Sequence, residues 1–436
     1  MMRTYHSRRQ QLLQHIGSDG LAILFAAPEQ RRSNDTEFPF RQDSYLHYLS
    51  GFPEPQAALL LDGANGDTIL FCREKDSLME IWNGFRYGPE AAKEAFAVNE
   101  AHSFTQWPEI LTGRLKGHRK LYALWGLYPD YDAKVMEIWH QVQQSAGQRA
   151  ATGSTLAPDA LMDVSKPLNA MRLVKDAQEQ TLLRQAADIS AQAHLRAMRR
   201  CQPGLYEYQL EAEFLHEFMY RGARSPAYNS IIGGGKNACC LHYVENKDIL
   251  RSGDLVLIDA GAEYQGYAGD ITRTFPVNGR FSGAQKEVYE IVLSANTASI
   301  EAIRPGADWQ SISQNAIRIL TQGLIDLQLL SGSLDGNIEQ QTYRRFYMHG
   351  LGHWLGLDVH DVGGRFENEQ PILLREGMYT TVEPGLYIAA AEDIPSAFHN
   401  IGIRIEDNIM VTATGCENYT SAAPKTIADI EQTMQG

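Results

Sequence analysis

The stretch from Leu255 to Phe275 limits what this chain can fold into more than any other. An apolar run, Leu255-Val256-Leu257-Ile258, ends in Asp259, and a second strand-like run, Ile271-Thr272-Arg273-Thr274-Phe275, starts just after Asp270. Gly261, Gly266 and Gly269 punctuate the residues between them. The pattern is that of a hairpin. Centred on Tyr264-Gln265, it sets Asp259 directly opposite Asp270. Opposed side chains on one face of an antiparallel pair have Cβ atoms about 4.5–5.5 Å apart. Two carboxylates at that separation repel, so the pairing calls for a cation between them.

Three further groups extend the case. His353 lies in His349-Gly-Leu-Gly-His353-Trp-Leu-Gly-Leu-Asp-Val-His360, Glu383 in Thr381-Val-Glu383-Pro-Gly385, and Glu406 in Gly402-Ile-Arg404-Ile-Glu406-Asp407. Taken singly, an Asp after a strand is more often a turn residue, and a His among glycines is more often packed than ligating. The combination carries the inference. Four carboxylates and one imidazole are too rich in oxygen for structural zinc. They suit Mn²⁺, with Co²⁺, Fe²⁺ or Zn²⁺ as alternatives, and fit two ions about 3.5–4 Å apart better than one. Ile403 and Ile405 mark a half-buried strand on which Glu406 and Arg404 share a face, so Arg404 is expected to orient a ligating carboxylate. Imidazoles at 349, 353 and 360 point to metal or proton chemistry.

The Asp-x10-Asp pair, the His-x3-His-x6-His segment, Thr-Val-Glu-Pro-Gly and Gly-Ile-Arg-Ile-Glu-Asp together resemble the M24 "pita-bread" metallopeptidases, and among them the bacterial Xaa-Pro aminopeptidases. The resemblance spans nearly the whole chain and is strongest from about residue 170 onward. It implies an α/β (α+β) architecture: a small N-terminal α/β domain over 1–168, and over 169–436 a catalytic domain with a curved antiparallel sheet backed by helices. It implies release of the first residue from peptides with proline second, by hydroxide shared between two divalent ions. Asp270, His353 and Glu383 would hold one ion and Asp259 the other, with Asp270 and Glu406 bridging. Glu383 doubles as a proton shuttle, His242 and His360 act at the scissile carbonyl, and His349, Tyr387 and Arg404 lie on the substrate side. Asp35, Trp82 and Arg149 fall where relatives have groups that reach the cleft from a neighbouring subunit or domain, and relatives form dimers and tetramers. The alternatives are an Xaa-Pro dipeptidase with the same ligands, a methionine aminopeptidase (usually without the large N-terminal domain), a creatinase-like enzyme without the metal set, and an inert peptide-binding module.

Bulk properties agree with a soluble enzyme. The 436 residues are enough for two domains, and a net charge of −14 argues against nucleic acid or an anionic membrane as the main partner. The 5 cysteines, odd in number and without zinc-like spacing, are expected to be reduced thiols of a cytoplasmic protein, with Cys239-Cys240 packed in the core. No apolar stretch suggests a secretion signal or a membrane span. Hydrophobic periodicity predicts helices over 4–17, 90–96, 131–145, 176–200, 208–222, 285–303 and 309–327, and strands over 21–25, 57–61 and 68–71. The small and breaker residues of 147–167 predict a linker, and Gly233-Gly234-Gly235 a flexible turn by the active site.

Overall fold

The computed structural model describes residues 2–149, 156–367 and 369–435. They form two compact units, Met1–Met171 and Arg172–Gly436. The first is built on a mixed sheet whose spatial order is Glu100–Ser103, Asp67–Cys72, Ala58–Asp62, Gly20–Phe25, Lys120–Ala123 and Ala160–Asp163. Gly20–Phe25 reads as an unbroken apolar run and is buried throughout, as a central strand must be. Ala160–Asp163, expected within a linker, is instead an edge strand in parallel register with Lys120–Ala123. Four residues with no alternation give periodicity nothing to detect. Residues 150–155 of that expected linker lie outside the described residues, as does the Arg149 side chain, while its last residues open the helix Ser165–Leu173. Asp35 sits exposed in the turn between Arg31–Ser33 and Thr36–Glu37, and Trp82 lies exposed on the helix Ser77–Asn83.

In the second unit every described strand pairing is antiparallel. The long helix Ala177–Arg200 starts at a capping box in which Asp176 accepts from Gln178 and Glu179, and Glu179 returns the bond. Leu183, Ala186, Ile189 and Ala193 are buried along it, whereas Leu182, which the sequence pattern adds to the same apolar stripe, is only half-buried. Gly283–Ala302 and Trp309–Asp326 pack against each other. Among the described residues no helix is long and apolar enough to cross a membrane.

The hairpin is real but its register differs from the expected one. Asp259 pairs with Thr272, not Asp270. The turn is Gln265-Gly266, with φ of 50° and 86°, and such a two-residue turn needs left-handed backbone at both central positions. Gly266 fills the second of them, which moves the centre one residue along. Moving the centre by one shifts the partner by two, so the face is kept. Asp259 and Asp270 become diagonal neighbours, at a typical spacing of about 7–8 Å rather than 5 Å. Continuing the register sets Asp270 opposite Gly261, where a Cβ would stand 1.7 Å from the Gly269 carbonyl oxygen. The triglycine is not a flexible turn either. Gly233 and Gly234 end the strand Ile231–Gly234, and a Cβ on Gly233 would lie 2.9 Å from the Asn237 carbonyl carbon. Of the adjacent cysteines, Cys239 packs against a small core cluster, whereas Cys240 is exposed.

A buried ion pair ties the strands together. Arg273 and Asp407, both fully buried, meet at 2.7 Å, and Lys425 reaches the other Asp407 oxygen at 2.7 Å. Burial alone would raise the Asp407 carboxyl, but the charges of Arg273 and Lys425 hold it well below the usual carboxylate range. Asp407→Asn leaves two cations without their anion, a loss of about 3–5 kcal/mol. The unfolding midpoint should fall by about 6 °C or more, measured by thermal circular dichroism; an unchanged midpoint contradicts this account.

Candidate metal centre

The five expected ligands come from five places in the second unit. Asp259 ends the strand Leu255–Asp259, Asp270 precedes Thr272–Pro276, Glu383 follows Tyr379–Val382, Glu406 separates Ile401–Arg404 from Asp407–Val411, and His353 lies in an irregular segment. Backbone and side-chain bonds bring them together. The His353 N–H donates to Thr381 Oγ1 at 3.0 Å, and its carbonyl accepts from the Thr381 N–H at 2.9 Å. The Glu406 N–H donates to the Thr272 carbonyl at 3.0 Å. Asn296, on the helix Gly283–Ala302, donates to the carbonyls of Val382 and Ile405 at 3.0 and 3.2 Å, one residue before each glutamate. The Asp270 N–H donates to Asn408 Oδ1 at 3.0 Å, and the Asn408 amide donates back to the Asp270 carbonyl.

All five line one cavity of about 480 Å³. His353 Nε2 lies 3.4 Å from Asp270 Oδ2 and 3.5 Å from Glu383 Oε1. Asp270, His353 and Glu406 each present a ligand atom within 4.8 Å of the others. Tyr228 Oη lies 2.5 Å from Asp259 Oδ1 and also bonds Asp270 Oδ1. One phenolic proton thus serves two carboxylates. Arg404 Nη2 donates to Asp259 Oδ2 at 2.7 Å, and its Nε to Thr272 Oγ1 at 3.0 Å, which in turn donates to Glu406 Oε2 at 2.7 Å.

The electrostatics are those of a site short of positive charge. Burial, then the neighbouring carboxylates, push Glu406 well above the carboxylate range. Burial raises Asp270 against the pull of His353, and brings Glu383 up to about 7. Burial alone would lower His353, but its bond to Asp270 and the charges of Asp270 and Glu383 bring it up to about 9. A hard divalent cation would relieve every one of these strains, so the residues fit such an ion.

The remaining expected residues divide into two layers. His242, His349, His360 and Arg404 line the cavity together with Ile231, Leu241, Val244 and Val359. The His360 ring stands 4.3 Å from that of His353, and burial, then the His353 charge, lower its pKa. Tyr387 is one layer back: buried, it accepts from Arg404 Nη1 at 2.8 Å and bonds His349 Nε2 at 2.8 Å. Sequence reasoning missed Tyr228, Thr272, Thr381, Asn296 and Asn408. Thr381, Thr272 and Asn408 had a legible signal, since each stands two positions from a ligand, Glu383, Asp270 and Glu406 respectively, the spacing that shares a strand face.

The profile described as Metallopeptidase family M24 matches residues 181–413, and that of the Aminopeptidase P, N-terminal domain matches residues 5–122. The chain is 46% identical to a Xaa-Pro aminopeptidase of Haemophilus influenzae over 432 residues, 99% of this chain and 96% of that protein. Similar solved structures include proline aminopeptidase P II from Yersinia pestis, with a TM-score of 0.96 at 47% identity, covering 100% of this chain and 99% of that one. Zinc-substituted Escherichia coli aminopeptidase P in complex with product gives a TM-score of 0.96 at 44% identity, covering 100% and 98%. With its ligand-rich cavity inside the matched region, this chain belongs to metallopeptidase family M24.

Proposed function

We propose that this protein is a metal-dependent aminopeptidase that releases the first residue from peptides with proline in second place. The observation that carries the reading is one cavity lined by four carboxylates, His353 and three further histidines, in a chain 46% identical to a Xaa-Pro aminopeptidase over nearly its full length. Two divalent ions, Mn²⁺ above all, would be held by Asp259 on one side and by His353 and Glu383 on the other, with Asp270 and Glu406 shared. When bound, such ions supply Lewis acidity and a water acidified toward neutral pH.

The chain's own residues do the rest. The acidic cluster attracts the substrate's free ammonium group, which confines cleavage to the amino end. His349 bonds the Gly350 carbonyl through Nδ1 and Tyr387 through Nε2, at 2.8 Å each. Burial, then the Arg404 charge, lower it to about 4. Both nitrogens are engaged in the neutral ring, so it offers the cavity an apolar surface. With Ile231, Leu241, Val244 and Val359 it forms a wall suited to a pyrrolidine ring. His242 and His360 are placed to donate to charge that develops on the scissile carbonyl oxygen. Glu383 can take a proton and pass it to the departing prolyl nitrogen.

Substrate choice tests the reading. Xaa-Pro-Yaa tripeptides should be cleaved after the first residue, and replacing proline by alanine should lower kcat/KM by about 10–200-fold, the range for lost apolar contact. Equal kcat/KM for the two would contradict the proline wall, and cleavage of Xaa-Pro dipeptides alone would make the enzyme a dipeptidase. The histidine roles separate in a second experiment. Asp270→Ala and His353→Ala should lose bound Mn²⁺ and activity together. His242→Ala and His360→Ala should keep the metal and lose about 10²–10³-fold in kcat, the scale of one oxyanion donor. Elemental analysis beside kcat on the same variants decides; a His353→Ala protein retaining its full metal content would remove that residue from the ligand set.

A further inference from the structure

Both neighbours of His353 are held from outside the metal centre by one short segment. The Gly364 carbonyl accepts the Trp354 indole N–H at 3.3 Å. Arg365 Nη2 donates to the Gly352 carbonyl and to Thr380 Oγ1, each at 3.1 Å. That Thr380 hydroxyl donates in turn to the His353 carbonyl at 2.8 Å. A path of two hydrogen bonds therefore runs from the guanidinium to the backbone of His353, and a second bond grips the residue before it.

The guanidinium is itself clamped. Its central carbon lies 3.8 Å from the Trp309 ring centroid and 4.2 Å from that of Trp354, so it is sandwiched between two buried indoles. Trp309 opens the helix Trp309–Asp326, which anchors the far side of the sandwich. Gly363, at φ 121°, lets the segment pass close: a Cβ there would lie 3.0 Å from Leu173 and 3.4 Å from Trp354. Among the described residues Arg365 Nη1 has no hydrogen-bond partner, and burial lowers the group to about 9. Such a cation is costly to bury. What it offers in return is a flat, always two-pronged donor that a lysine cannot imitate.

We propose that Arg365 is a positioning residue for His353: stacked between Trp309 and Trp354, it fixes the Gly352 carbonyl and the Thr380 hydroxyl, and so sets the reach of the His353 imidazole toward Asp270 and Glu383. The inference rests on the reading of His353 as a metal ligand. Groups that orient a ligand typically change metal affinity by about 10–100-fold.

The test is Mn²⁺ binding by chelator competition on the full chain, with hydrogen exchange measured on the metal-free protein. Arg365→Met, which keeps apolar stacking but no donor, should bind Mn²⁺ about 10–100-fold more weakly. Its exchange should quicken only around residues 350–355, and turnover should return at saturating Mn²⁺. Arg365→Lys, which keeps the charge and one donor, should fall between it and the wild type, and decides alone if Arg365→Met does not fold. Wild-type affinity in Arg365→Lys, or in a folded Arg365→Met, overturns the proposal; so does faster exchange throughout the unit with affinity unchanged in the folded fraction. His353→Ala measured alongside keeps the two ideas apart: if it too binds Mn²⁺ as the wild type does, the ligand assignment has failed rather than the brace.

Discussion

Mutual repulsion among Asp259, Asp270, Glu383 and Glu406, brought to one cavity, is the constraint around which the second unit is organised. Like charges a few ångströms apart and out of water are unfavourable. The chain alone responds by taking up protons, which is why burial and neighbours raise Asp270, Glu383 and Glu406 together. Among the described residues only Asp259 of the four is paired with a guanidinium, that of Arg404. A cation bound among them converts the same arrangement from a liability into a binding site.

Such a cluster needs a surround that does not yield. Arg273, Asp407 and Lys425 form a buried ion network directly behind Glu406. Asn296 and Asn408 use side-chain amides to hold backbone beside Glu383, Glu406 and Asp270, where strand pairing has stopped. The ligands sit at strand ends and in loops, and these bonds supply there the hydrogen bonding that strand pairing no longer gives. Function follows from the same arrangement: carboxylates, histidines and aliphatic side chains line one cavity, with polar support around it.

Much of this was legible in the sequence because the ligands sit beside strong local patterns. Asp259 closes an apolar strand, and Ile403 and Ile405 alternate with Arg404 and Glu406. The hairpin register was off by one step because no Asn-Gly or Asp-Gly pair marked the turn, and Gln265 adopts positive φ without being a residue that favours it. The edge strand Ala160–Asp163 was hidden because its partner, Lys120–Ala123, lies some forty residues earlier. Tyr228, Asn296 and Arg365 could not be read at all. Their roles depend on tertiary neighbours, and a tyrosine, an asparagine or an arginine has no spacing rule that announces such a neighbour.

The most direct measurement is anomalous X-ray scattering at the manganese edge from crystals of the protein grown with Mn²⁺. Two anomalous peaks are expected among Asp259, Asp270, His353, Glu383 and Glu406, the pair about 3.5–4 Å apart. No peak within reach of those five side chains, or strong peaks only elsewhere on the chain, would contradict the metal assignment.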